Sequence, residues 1–390
     1  MVEHRMGLAR ARKAAGYTQE SLGEALGVHW TTVRRWEAGK QNVQPHRRVK
    51  LAQLLGVDLG QLDNLLHAGT TALPVAVGSD VPASQGFMPS ISTGSAVVDS
   101  VRATSRHLIG LDVSLGSRAI ADLATMAANS ANHRMMREPL DSRTERDLRA
   151  AVAELFEVAG WVAYDGERQN EAREMNEKAL VLSSLAGDRK MENLVKLNMS
   201  MQSNHVGRYG EAIAVAQSII DSKVSSRVHA MCLIRQARAY SKLEERMAIK
   251  LIAQARSYFL DGVSDHDPEW AWWIDGLELE GQYACALIDL GQPGDAAPIL
   301  YEVVHAVDRS VQPKYRIIWW VRLLEALMKI EQWEDAEKAL RRLYDDSGNI
   351  GSTRAINSLL GETRRIASIG SSKIPSAIRD MSELINAKFA

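Results

Sequence analysis

The chain has 390 residues, 46% of them hydrophobic and 24% charged, with a formal net charge of −1. At ~100–200 residues per domain this length gives two or three folded domains, and the charge excludes both a uniformly basic nucleic-acid coat and a uniformly acidic tail. The near-neutral total hides an asymmetry, because residues 1–66 hold ten Lys and Arg against six Asp and Glu whereas the remaining 324 hold 37 against 42. A basic module joined to a mildly acidic body points to nucleic-acid contact by one end. Cys232 and Cys285 are the only cysteines, too few for a disulfide framework or a four-cysteine zinc site. There is no uncharged apolar run of about 18 residues, so no membrane partner is expected. Met1-Val2-Glu3-His4-Arg5 leads straight into an amphipathic pattern with no apolar signal core, which makes a reducing cytoplasm the expected location.

From the N-terminus, Leu8, Ala11 and Ala15 fall at helical spacing, and Gly16 suits a left-handed helix stop. Thr18 offers an oxygen to the free amides of a second helix, Glu20 suits that helix's positive end, and Leu22, Ala25 and Leu26 form its inner face up to Gly27. Val28 to Ala38 reads as a third helix with Val33 and Trp36 turned inward, stopped by Gly39. Two short helices come next, over roughly 45–55 and 58–66. Two short helices joined by a glycine turn make a helix-turn-helix. Burying Val33 and Trp36 leaves Trp30, Thr31, Arg34 and Arg35 on the outer face of the third helix. In a major groove, Arg reads guanine O6 and N7 bidentately, and Thr bonds a base edge or touches a thymine methyl. Thr32 is expected on phosphate rather than base. Arg47 and Arg48 either reach phosphate from the loop after the third helix or are solvated helix charges.

Between Ala68 and Ala96, 20 of 29 residues are Gly, Ala, Ser, Thr or Pro, with Asp80 the only charge, and this composition reads as a flexible to semi-extended linker. Beyond it, Val97, Val98, Val101, Leu108, Leu111, Leu115, Ile120, Leu123 and Met126 line one or two helices that either cap the first unit of the C-terminal region or form a dimer interface. No proline separates Pro139 from Pro268, and apolar residues recur there at helical spacing. Five segments then share an alanine in one setting: Ala172, Ala212, Ala248, Ala296 and Ala336, spaced 40, 36, 48 and 40 residues apart. Paired helices at such a period, with a small residue where they cross, predict a helical-hairpin solenoid. Residues 352–388 read as a last, capping pair. The clusters Trp270-Trp272-Trp273 and Trp319-Trp320 read as hairpin packing rather than a ligand cage.

The run from Thr18-Gln19 through Leu26-Gly27-Val28 to Trp36-Glu37-Ala38-Gly39 resembles the XRE (Cro/repressor-type) family of DNA-binding domains over about 60 residues. That resemblance implies a lambda-repressor-like five-helix domain, Gln19 on the DNA backbone or outer bases, Lys40 on phosphate, and an Arg12–Glu37 pair tying the first helix to the third. His29 departs from the family's small polar cap, and Trp30 replaces the usual polar base-reader. The alanine-marked segments resemble tetratricopeptide repeats. Gly160 falls on the small first-helix position of one repeat, and Trp320 and Leu323 fall on the large positions of another.

The fold expected is therefore all-α: a helix-turn-helix domain over 1–67, a linker over 68–96, connecting helices over 97–138 and a tetratricopeptide-like solenoid over 139–390. First helices of such hairpins line a groove, and alignment on the repeat alanines places Trp161, Tyr164, Asn198, Asn204, Arg235, Arg238, Gln282, Arg322 and Glu325 on or near it. Asn and Arg there suit the amides and carboxylates of a peptide or another small ligand. The layout is similar to that of the peptide-responsive RRNPP regulators, which implies a signalling peptide in the groove. Single helix-turn-helix domains gain specificity by pairing, so a homodimer on a palindromic double-stranded operator is expected. The motifs of dinucleotide, P-loop, zinc-protease and serine-hydrolase sites are missing from the sequence, so neither an enzyme nor a cofactor is expected. The alternative is a DNA-tethered scaffold whose solenoid recruits a protein partner without a small-molecule signal.

Overall fold

The computed structural model describes residues 6–28, 30–38, 43, 45–57, 61–62, 65–66, 94–137, 140–243, 245–260, 264, 267–307, 313–346, 351–369 and 373–389, and every regular element among them is helical. The chain divides into two units, Met1–Met88 and Pro89–Ala390. In the first, α1 (Met6–Ala14), α2 (Gln19–Leu26), α3 (Trp30–Glu37) and α4 (Pro45–Leu55) surround a core of Leu8, Leu22, Leu26, Val33, Trp36, Leu51 and Leu55. Gly16 and Gly27 take positive φ values of 80° and 65°, a conformation that β-carbon sterics disfavour, and so end α1 and α2 as expected. Helix α3 starts two residues later than its apolar pattern suggested. Of the fifth helix expected over 58–66, residues 61–62 and 65–66 are described and helical, and Leu62 and Leu66 join the core.

The second unit begins with α5 (Gly94–Leu115) and α6 (Ser117–Met135), so helix replaces the last three residues assigned to the linker. Both pack on α7 (Ser142–Asp165), with Val97, Val98, Leu108, Ile120, Ala121 and Ala124 in a common core with Leu148, Val152 and Phe156. The connecting helices thus cap the first hairpin. Leu115, Leu123 and Met126, which the pattern placed with the apolar face, are exposed because α5 and α6 bury only the narrow stripe that meets α7.

The hairpins are, in chain order, α7 with α8 (Gln169–Ala186), α9 (Arg189–His205) with α10 (Tyr209–Ile220), and α11 (Ser226–Tyr240) with α12 (Glu245–Leu260). After a short 3-10 segment, Glu269–Trp273, come α13 (Gly276–Asp289) with α14 (Pro293–Val307), α15 (Pro313–Lys329) with α16 (Trp333–Asp346), and α17 (Thr353–Ser368) with α18 (Ser376–Lys388). The five marker alanines are each the fourth residue of a second helix, and each is 0% exposed. Close crossing explains the requirement, since a larger side chain there would separate the pair. Gly160 serves similarly: a β-carbon on it would lie 2.8 Å from Asn176 Oδ1 of α8. Gly281 of α13 makes room for the buried Trp319 of α15, whose ring would lie 2.6 Å from an added β-carbon. Trp320 packs on the same core, and Trp270 and Trp273 pack on the core of the α11–α12 hairpin.

The first helices α7, α9, α11, α13, α15 and α17 form an inner layer in which each packs on the next. Helix α17 then packs on α7, so the inner layer closes on itself. At the closing seam the Ser117 amide donates to Gly351 O at 2.8 Å, and Gly116, at φ 83°, lets the two backbones touch. Beside it the buried Asp165 accepts from Ser117 Oγ at 2.6 Å and Ser352 Oγ at 2.7 Å, and pairs with Arg354 Nε at 3.4 Å. The expected cap pair is present, and it also fastens the last hairpin to the first.

Candidate functional site

In the first unit, the geometry of α2 and α3 starts from local bonds. Thr18 caps α2, with the Ser21 amide donating to Thr18 Oγ1 at 3.0 Å and the Thr18 amide donating back to Ser21 Oγ at 2.9 Å. At Gly23 a β-carbon would lie 2.7 Å from Val28 O and 3.2 Å from Trp30 N, so only glycine lets α3 approach α2 this closely. Sequence reasoning missed Gly23, although a glycine in mid-helix was its signal. The expected Arg12–Glu37 pair is buried: Arg12 Nε donates to Glu37 Oε1 at 2.6 Å, and Arg12 Nη1 donates to Tyr17 O at 2.7 Å. These bonds fix the angle between α1 and α3.

With Val33 and Trp36 buried, α3 turns the other way with Trp30 at 36% exposure, Arg34 exposed, and Thr31, Thr32 and Arg35 half-buried. Two basic side chains and a threonine pair on one helix face make a surface chemically suited to base edges and phosphates. Other expected contacts are differently placed. Gln19 Nε2 donates to Glu37 Oε2 at 2.6 Å, so its NH2 group is committed to the domain's own framework. Arg47 and Arg48 belong to α4 rather than a loop. Arg47 Nη1 donates to Leu26 O at 2.5 Å, capping the negative end of α2, and Arg48 Nε donates to Val43 O at 3.1 Å. The carbonyls at the end of α2 need donors, and Arg47 of α4 supplies one. Lys40 and His29 lie outside the described residues.

In the second unit the nine groove candidates fall on the inner helices, but several are buried within the layer rather than solvated along it. They resolve into clusters. Asn198 of α9 donates from Nδ2 to Glu157 Oε1 of α7 at 2.8 Å. Burial pushes the Glu157 carboxyl up to about 7 in spite of that donor. A second cluster holds Arg238, Arg322 and Glu325. Arg238 Nη1 and Lys242 Nζ each donate to Asp289 at 2.7 Å, and Arg322 Nη1 donates to Glu325 Oε2 at 2.8 Å. Burial works against the charged Asp289 carboxylate, but these two cations hold it below its usual range.

The third cluster draws Tyr164 from α7, Arg235 from α11 and Gln282 from α13, and α7 is not a neighbour of the other two in the layer. Tyr164 lies 5.9 Å from the Trp161 ring and 5.5 Å edge-on to His205, with Arg354 of α17 5.3 Å above its face. Gln282 Nε2 donates to Glu278 Oε1 at 3.0 Å, and Arg235 lies 5.9 Å over the Trp273 ring with Glu278 and Tyr164 in electrostatic reach. Asn204 is half-buried in the last turn of α9. Glu157, Asp289, Glu278 and Arg354 were missed. Glu278 is one turn before Gln282 on the same face and was legible, whereas Arg354 arrives only because the layer closes. Among the described residues no helix is long and apolar enough to cross a membrane, and no His, Cys, Asp and Glu group is placed to hold a metal.

No functionally curated protein matches the sequence. Among solved structures, the chain is similar to Bacillus thuringiensis PlcR, crystallised with the peptide PapR7 and DNA. The identity is 14% and the TM-score 0.33, over 89% of this chain and 96% of that one. A family model described as Helix-turn-helix matches residues 8–62, the stretch in which α1 to α4 pack on Trp36, and the N-terminal unit is a helix-turn-helix domain.

Proposed function

We propose that the chain is a transcription regulator, in which α3 reads duplex DNA in the major groove and the inner layer of the helical body binds a signal, a peptide or another small ligand, that modulates operator affinity. The reading rests on one observation more than the others. The Arg12–Glu37–Gln19 network and the buried Val33 and Trp36 fix α3 so that Trp30, Thr31, Arg34 and Arg35 share its opposite face. A net charge of +4 over residues 1–66 supplies modest nonspecific attraction. Specificity then comes from base contacts and from pairing two half-sites in a homodimer.

Selection from random duplexes and then fluorescence anisotropy test this. Arg34→Ala and Arg35→Ala should each weaken the selected operator by about 5- to 150-fold, the ~1–3 kcal/mol of a bidentate base contact, while nonspecific binding falls far less. If both variants still select the same operator with unchanged affinity, α3 is not the reading helix.

A further inference from the structure

One charged group in the helical body stands apart from the other buried ions of the inner layer. Arg235 is 5% exposed, yet it makes no hydrogen bond or ion pair to any described residue, and its Nε is buried without a partner. A guanidinium carries five donors, and a buried charge without a counter-ion is expensive to maintain. Arg238, Arg322 and Arg354, on the same inner layer, each have a carboxylate within 4 Å.

The surroundings of Arg235 are drawn from across the closed layer. Tyr164 of α7 and Glu278 of α13 lie in its electrostatic reach, Gln282 of α13 bonds Glu278, Arg354 of α17 lies over the Tyr164 ring, and Trp273 of the 3-10 segment lies under the guanidinium. Helix α9 lies between α7 and α11 in the layer, and Tyr164 and Arg235 are in electrostatic reach of each other across it. Glu278 does not neutralise Arg235 directly: no ion pair joins them, and its Oε1 is engaged by Gln282. The site therefore presents a forked cation, a phenol, a primary amide and an indole face, and its missing component is an anion.

We infer that Arg235 is the anchor for the carboxylate of an organic acid with an aromatic or apolar body, with Trp273 against that body and Tyr164 and Gln282 as neighbouring hydrogen-bonding groups. Carboxylate geometry matches the guanidinium fork, and the indole favours an apolar body over a bare inorganic anion. This deepens the proposed signal-binding function and rests on it.

The test uses the full chain without DNA, titrated by calorimetry with N-acetylphenylalanine, with N-acetylphenylalaninamide, and with inorganic phosphate. The acid should saturate and bind at least about tenfold tighter than the amide, as a charge-assisted bond requires, and phosphate should bind more weakly than the acid. Arg235→Met should erase the difference between acid and amide. By removing an unpaired buried charge it should also raise the Tm of the unliganded protein by about 2–4 °C. Arg235→Lys keeps charge and stem without the fork, and should fold while binding the acid about tenfold less tightly. Equal binding of acid and amide overturns the carboxylate anchor and leaves the signal-binding function standing. Tighter binding of phosphate than of the acid overturns the organic-acid class. Absence of saturation by about 10 mM acid, or an unchanged or lowered Tm in Arg235→Met, overturns the subsite itself.

Discussion

The two units each bury an arginine, and they treat it oppositely. In the N-terminal unit Arg12 meets the Glu37 carboxylate and the Tyr17 carbonyl, and Gln19 satisfies the second Glu37 oxygen. In the helical body Arg235 has no bonded partner, and Glu157 is a carboxyl that burial pushes up to about 7. A buried charge answered from its own domain is framework, because removing either member strands the other. A buried charge left unanswered adds nothing to the apo fold, and its retention calls for a functional explanation.

The contrast can be broken most sharply at Glu37. Glu37→Ala leaves Arg12 buried and unpaired and should cost the N-terminal unit about 3–5 kcal/mol, read as lost amide-exchange protection in α1 to α3 of the full chain. Arg12→Met together with Glu37→Met should recover most of that loss.

In the body the sign should reverse, at Glu157. Its folded carboxyl lies near 7 against an ordinary 4.5, so the stability contributed by the protonated form is complete below about 4.5 and is lost as pH rises through about 7. Glu157→Gln cannot ionise, so its advantage in thermal stability over the parent should grow by about 1–3 kcal/mol between pH 5 and pH 8 and then level off. A flat difference across that range would mean that Glu157 is solvated.

The smallest effect sharpens the framework side alone. Thr18→Ala removes the α2 cap and should cost about 1 kcal/mol, seen as faster exchange of the first-turn amides of α2 with the body unaffected.

Local constraints were legible in the sequence, and closure was not. Thr18, Gly16 and Gly27 could be read because capping and left-handed turns depend on a few adjacent residues, and all three act as expected. The five alanines were readable for the same reason, as each reports one crossing inside one hairpin. The bond from Arg47 was not legible because its partner, the Leu26 carbonyl, lies 21 residues away in a different helix. The groove candidates fall on the first helices of their hairpins, and Tyr164 and Arg235 come within electrostatic reach. The burial of Tyr164 and Arg235 escaped notice because it depends on how successive hairpins with irregular periods stack on one another.

That closure also sets a rule for how the body can change. In an open array each repeat touches only its neighbours, so evolution can add or delete one and leave the rest intact. Here Ser352 must find Asp165 across 187 residues of chain, and Gly351 must lie against Gly116. One hairpin more or fewer would carry the last helix past its seat and expose both ends at once. The number of repeats is therefore a closed-form quantity, like the number of strands in a barrel. The ends guard each other against fraying, at the cost of a late, long-range step that an open solenoid does not require during folding.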